Sequence, residues 1–95
     1  MDAPQLRVAY EKYFPIIRAK CARMLSDPEE AADVAQETFI RLWQSAMAEK
    51  TPEQLSAWIY KTATRAAIDR LRHRGRQRML SQRAAIHSHG GGSGT

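Results

Sequence analysis

Asp27-Pro28-Glu29-Glu30-Ala31-Ala32-Asp33-Val34-Ala35-Gln36-Glu37-Thr38-Phe39-Ile40-Arg41-Leu42-Trp43 is the stretch whose reading decides the fold. Asp27 is a capping residue type, Pro28 suits the first helical position, and Glu30 falls three residues after the cap. The segment therefore predicts a helix that starts at Asp27 with a capping box, its acids at the positive end of the helix dipole. At about 100° per residue, Ala31, Val34, Ala35, Thr38, Phe39, Leu42 and Ala46 fall on one face, and Asp33, Gln36, Glu37, Ile40 and Gln44 on another. The first face is the expected core side.

Downstream, the start signal repeats, with Thr51 as cap, Pro52 at the first position and Gln54 three residues past the cap. A helix is expected from there to Gly75, burying Leu55, Ile59, Ala63, Ala66, Ala67 and Leu71. Ser45 to Lys50 becomes a short interhelical loop. Upstream, Leu6, Tyr10, Tyr13, Phe14, Ile17, Cys21, Met24 and Leu25 form an apolar stripe over roughly Pro4 to Leu25. Pro15 lies inside that stripe, removes a helical hydrogen bond and crowds the preceding turn, so a kink or break near Phe14 is expected. No segment alternates with period two, so no strand is expected. The reading is all-α, a small three-helix bundle over residues 1–80. The Gly/Ser-rich end makes 81–95 a flexible tail, either a linker or a cloning remnant.

The whole chain is 95 residues with 15 basic and 10 acidic side chains and one cysteine. A domain of this size buries only about 60 to 65% of its unfolded surface, which leaves little room for an enclosed active site. Its longest apolar run is Ala57 to Tyr60, far short of the ~18 residues that span a bilayer, and the start lacks the apolar core of a signal peptide. A cytoplasmic protein that neither crosses nor binds a membrane is expected. Cys21 has no disulfide partner in the chain and reads as a small core residue. His73, His87 and His89 lie in a basic run and the tail with no carboxylate cluster around them. The expectation is therefore no enzyme, no cofactor, no metal site and no small-molecule substrate.

Charge is unevenly distributed. Residues 27–37 hold five acids and no base, whereas 57–83 hold eight bases against Asp69. Two partners of opposite sign are implied, and the basic segment points to nucleic acid. On the acidic helix Ile40 sits among Asp33, Gln36 and Glu37, an apolar anchor ringed by acceptors, the pattern of a helix that docks a basic helical partner. A lone exposed isoleucine is also ordinary surface. On the basic helix Lys61, Arg65 and Arg72 share an arc of about 40° with Trp58 beside them. Bases interleaved with aromatics can track a phosphate backbone and stack on unpaired bases. Trp58 as half-buried core is the plain alternative.

These same residues carry a resemblance. Asp27 to Trp43 resembles region 2.2 of the extracytoplasmic-function (ECF) group of bacterial RNA polymerase sigma factors. Trp58-Ile59-Tyr60-Lys61-Thr62-Ala63-Thr64-Arg65-Ala66-Ala67-Ile68-Asp69-Arg70-Leu71-Arg72 is similar to their regions 2.3 and 2.4, and Tyr10 to Leu25, with Tyr13-Phe14-Pro15, to region 2.1. The likeness runs from about Leu6 to Arg78. It implies a transcription initiation factor domain in which Asp33, Gln36, Glu37 and Ile40 bind core RNA polymerase at the coiled coil of the beta-prime clamp. It further implies that Trp58, Lys61, Thr64, Arg65 and Arg72 recognise the promoter minus-10 element and hold its melted non-template strand. The loop from Ser45 to Lys50, with Thr51, would stand where such proteins capture a flipped base. An anti-sigma factor is a further implied partner.

Two departures qualify the resemblance. Members of the group usually have Asn where this chain has Arg65, and Ala63-Thr64-Arg65 looks more like primary sigma factors. Asn pairs bidentately with adenine, whereas Arg prefers guanine or phosphate, so the promoter preference does not carry over. In addition, nothing after Ser81 has the pattern of the second helical domain, region 4, that reads the minus-35 element. A fragment, an isolated domain or a trimmed piece is expected. Two other readings compete: a sigma-like decoy that binds an anti-sigma factor without DNA, and a generic basic helical module. The basic surplus opposes the first, and the second leaves the acidic face without a purpose.

Overall fold

The computed structural model describes residues 2–45 and 51–93, the side chains of 85–93 excepted. It has three helices, α1 (Ala3–Leu25), α2 (Pro28–Gln44) and α3 (Pro52–Ser93). Each begins with a local device. Asp2 caps α1, its carboxylate accepting from the Gln5 N–H at 2.8 Å while the Gln5 side chain accepts from the Asp2 N–H at 3.1 Å. Thr51 and Gln54 form the expected reciprocal box on α3, at 3.0 and 3.2 Å.

At α2 only half of the expected box forms. Asp27 accepts from the Glu29 and Glu30 N–H groups at 3.0 and 3.2 Å. Glu30, however, turns away from the cap toward Arg70 and Arg74 of α3. A half-buried carboxylate gains more from two guanidinium groups than from one backbone N–H.

The α1–α2 turn is made by Ser26, whose left-handed backbone (φ 55°) ends α1 as its N–H donates to the Ala22 carbonyl. α1 and α2 pack most closely on each other, and α3 packs against both. The core consists of Ala9, Ile17, Cys21 and Leu25 from α1, Ala31, Val34, Ala35, Phe39 and Leu42 from α2, and Ile59, Ala63 and Ala67 from α3. Thr38 is buried with them, and its hydroxyl donates back to the Val34 carbonyl at 2.9 Å. The α2 stripe is thus buried as the sequence predicts over Ala31 to Leu42. Ala46 lies outside the described residues.

Four expectations are refined in detail. Of the kink or break expected at Pro15, the break does not occur, since α1 runs unbroken through it. Pro15 is exposed, so water can take up the carbonyl that loses its helical donor. Tyr10 is 37% exposed at the bundle edge, its ring stacked on Phe14 at 4.5 Å and edge-on to Phe39 at 5.2 Å. Leu71, placed in the core by its spacing, is 38% exposed. Finally, α3 does not stop at Gly75 but continues to Ser93.

Leu71 lies about 80° around the helix from the centre of the Ile59–Ala63–Ala67 face, which Arg70 and Arg74 continue. Beyond Arg74 no described side chain is buried. The backbone of the 81–93 stretch is helical, and the side chains of 81–84 are exposed. At 42 residues α3 accounts for the 65 Å long axis of the molecule, which is 22 by 19 Å across. No helix among the described residues is long and apolar enough to cross a membrane.

Candidate functional site

The bundle presents two faces. On α2, Asp33, Gln36 and Ile40 are exposed, Ile40 to 57%. Glu37 is half-buried and lies at the seam with α3, accepting from Arg41 at 3.0 Å, with Arg70 of α3 at 3.8 Å. Three of the four residues expected to meet a partner therefore form a free surface. The fourth is tied into the structure.

Sequence reasoning missed part of this face. Leu6, Arg7 and Tyr10 of α1 join Gln36, Phe39, Ile40 and Trp43 of α2 around an open, mostly apolar groove of about 580 Å³. Trp43 is 47% exposed there. The helical wheel contains the signal, because Gln36, Ile40 and Trp43 at i, i+4 and i+7 fall within about 60°. What it does not give is the contribution of α1, which depends on how the two helices cross.

On α3, Lys61, Arg65 and Arg72 are exposed. Arg72 stands 4.0 Å from Asp69 one turn away, a contact of two largely solvated groups. Thr64 is half-buried, and Trp58 is half-buried and packed against the core. Tyr60, also half-buried, carries the Lys20 ammonium 5.5 Å above its ring. Ser45 is the C-cap of α2, with its hydroxyl donating to the Leu42 carbonyl at 2.8 Å. Lys50 and most of the loop before Thr51 lie outside the described residues.

The eight bases of 57–83 do not act alike. Arg70 and Arg74 turn inward: Arg70 lies 3.6 Å from Glu30, while Arg74 pairs with Glu30 and donates to the Leu25 carbonyl at 2.6 Å. Asp27 and Glu30, counted as part of an acidic partner surface by composition, are therefore internal partners of α3. The wheel predicts this division, since Arg70 and Arg74 continue the Ile59–Ala63–Ala67 face and Lys61, Arg65 and Arg72 lie opposite. Nothing in composition distinguishes the two sets.

Cys21 is buried, and that burial pushes its thiol above the ordinary value of 9.0, with nearby Lys20 opposing the shift. No group of three or more metal-ligating side chains occurs among the described residues.

Comparison with known proteins adds to this geometry. The family model described as sigma-70 region 2 matches residues 9–77. The ECF RNA polymerase sigma factor SigW of Bacillus subtilis (strain 168) is 42% identical over 52 residues, 55% of this chain and 28% of that protein. The ECF RNA polymerase sigma factor SigL of Mycobacterium tuberculosis (strain ATCC 25618 / H37Rv) is 29% identical over 72 residues, 75% of this chain and 41% of that protein. The chain thus spans less than half the length of these curated relatives. No solved structure matches it. With a matched span that takes in most of α1, all of α2 and the bundle part of α3, the chain belongs to the sigma-70 region 2 family, as a region 2 domain of the ECF type.

Proposed function

We propose that this domain joins core RNA polymerase to promoter DNA. In this reading α2 meets the coiled coil of the beta-prime clamp through Asp33, Gln36 and Ile40, with Glu37 at the margin. The minus-10 non-template strand lies along α3 against Lys61, Thr64, Arg65 and Arg72. The observation that carries the reading is the presence of two separate exposed faces of unlike charge on a bundle that matches the family in most of α1, all of α2 and the bundle part of α3.

The chemistry suits each partner. Ile40 supplies an apolar anchor, and carboxylate and amide acceptors beside it suit a basic helical surface. Lys61, Arg65 and Arg72 neutralise phosphates and release counterions, which gives affinity that falls with salt. Arg65 favours guanine or phosphate over adenine. Trp58, half-buried and packed against the core, offers the strand its remaining exposed surface beside these bases.

The test is fluorescence anisotropy with a labelled non-template minus-10 strand, with and without purified beta-prime clamp coiled coil, across a salt series. Binding to both supports the proposal. Lys61→Ala and Arg65→Ala should each lower the salt slope by about 0.7, the value for one phosphate of a single strand. Clamp binding without DNA binding would remove the DNA half of the proposal and indicate a DNA-silent domain. Failure to bind the clamp would remove the polymerase half and favour a sigma-like decoy for an anti-sigma factor or a generic nucleic-acid module.

A further inference from the structure

Two helix faces that point away from the core match each other. On α2, Asp33, Gln36, Glu37 and Ile40 present acceptors and one apolar side chain. On α3 the same spacing of i, i+3, i+4 and i+7 holds Arg72, Gly75, Arg76 and Met79: two bases, a gap and one apolar side chain. Met79 is 63% exposed, and these four residues with Arg78 line an open hollow of about 540 Å³. The hollow follows from Gly75, where even a β-carbon would meet nothing within 4 Å.

We infer that the α2 face is a docking surface for a second copy of this chain, which seats residues 72–79 of its α3 there. When the two helices lie side by side in the same direction, Arg72 of one copy comes beside Asp33 of the other. Seven residues on, Met79 comes beside Ile40, because each pair spans the same rise of about 10.5 Å. Between these two contacts Gly75 lets the backbones approach closely. On the flanks, Arg76 faces Gln36 and Arg78 faces Glu37.

Charge and shape both select the second copy. Residues 27–37 contain no base, and from Arg70 onward the sequence contains no acid. An apolar knob ringed by acceptors thus meets an apolar hollow ringed by bases, which fixes register as well as attraction. A nucleic acid would satisfy the arginines but leave Met79 and Ile40 in water. One chain cannot make this contact with itself. Residues 72–79 leave the bundle beside the α1–α2 turn, where Arg74 meets Leu25, while Ile40 lies toward the other end of α2. The contact joins unlike faces, so each pair keeps one face of each kind free. Asp33, Gln36 and Ile40 are also the residues proposed to meet the clamp, so pairing and polymerase binding exclude each other. That consequence rests on the proposed function, whereas the pairing does not.

Sedimentation equilibrium of the full chain, with neither polymerase nor DNA present, tests the pairing over rising protein concentration at low and high salt. A contact two helical turns long belongs to the weak class, yet the mean mass should rise above that of one chain below about 1 mM and fall back with salt. Asp33→Arg and Arg72→Glu should each weaken association by about tenfold or more. An equimolar mixture of the two variants should recover it to within about threefold, because each supplies the face that the other lacks. Gly75→Leu, which fills the hollow, should lose it. Arg18→Glu, at an exposed base outside both faces, should leave it unchanged. Thermal melts check that each variant is folded. A mixture no better than its components, an equal loss in Arg18→Glu, or a chain still monomeric at about 1 mM would overturn the inference. Such a failure leaves the proposed function standing, just as a failure to bind the clamp leaves the pairing standing.

Discussion

Arg74 donates a 2.6 Å hydrogen bond to the carbonyl oxygen of Leu25, 49 residues before it in the chain. That carbonyl belongs to the last turn of α1, where the helix leaves its own acceptors unpaired. The guanidinium also pairs with Glu30 and approaches Asp27 at 3.9 Å, so one side chain joins the end of α1, the start of α2 and the middle of α3.

Arg74→Ala should therefore cost about 1.5 to 3 kcal/mol, the range for hydrogen bonds to charged groups, because it also leaves the half-buried Glu30 with only Arg70. Urea denaturation monitored by circular dichroism measures this. Arg74→Lys, which cannot span both acceptors with a planar fork, should recover only part of the loss.

Ile59→Ala and Leu71→Ala separate the observed core from the one expected from spacing. Ile59 is fully buried, and its truncation should cost about 2 to 5 kcal/mol. Leu71 lies on the stripe implied by the sequence but is exposed in the structure, so its truncation should stay within about 0.5 kcal/mol. Equal costs would mean that the upper part of α3 packs more deeply than described.

These pairs also show what was legible in the sequence. The caps at Asp27 and Thr51 fixed two helix starts, and period 3.6 identified the buried face of α2, because both signals are local. The fate of Leu71 was not legible, since the same stretch of α3 carries Arg70 and Arg74, and which of these side chains α1 and α2 cover depends on how the three helices pack. Nor was the inward turn of Glu30, because a capping glutamate and an interhelical one have the same sequence spacing. At the candidate site Asp33, Gln36 and Ile40 emerged exposed as read, whereas the groove with Tyr10 and Trp43 required the crossing of two helices.

Asp33→Arg and Glu37→Arg should differ. Asp33 is exposed and stands in no ion pair among the described residues, so reversal should weaken clamp binding while leaving stability within about 0.5 kcal/mol. Reversal at Glu37 sets a cation against Arg41 and Arg70 and should lower stability as well. Thermal melts alongside clamp titrations separate the two effects.

Gly75 follows the last packed residue of α3, and a β-carbon there would meet nothing within 4 Å. Gly75→Ala should therefore stabilise the helix by about 0.5 to 1 kcal/mol through propensity alone. The gain should appear as helical signal at 222 nm and as slower amide exchange around residues 72–80, with the bundle melt little changed.

Cys21 gives a pH test. Its thiol is raised in the folded state by burial, so the protein holds the neutral form more tightly than the unfolded chain does. The corresponding stability is complete below the ordinary pKa of 9.0 and is lost as the pH rises through it toward the folded value. Wild type should weaken above about pH 9 relative to its own value at pH 7, and Cys21→Ala should lack that component. A thiol reagent at pH 7.5 should react only as fast as the core opens.

The Glu37 carboxylate, shared between Arg41 on its own helix and Arg70 on the next, couples the α2 face to the packing of α3. A partner that draws Glu37 away from Arg70 changes the free energy of α3, and reciprocity then requires that a ligand displacing Arg70 alter affinity at α2 by an identical factor. An exposed pair of this kind is worth about 0.2 to 1 kcal/mol, so that factor is about 1.4- to 5-fold. One shared carboxylate can in this way let one binding event report on another.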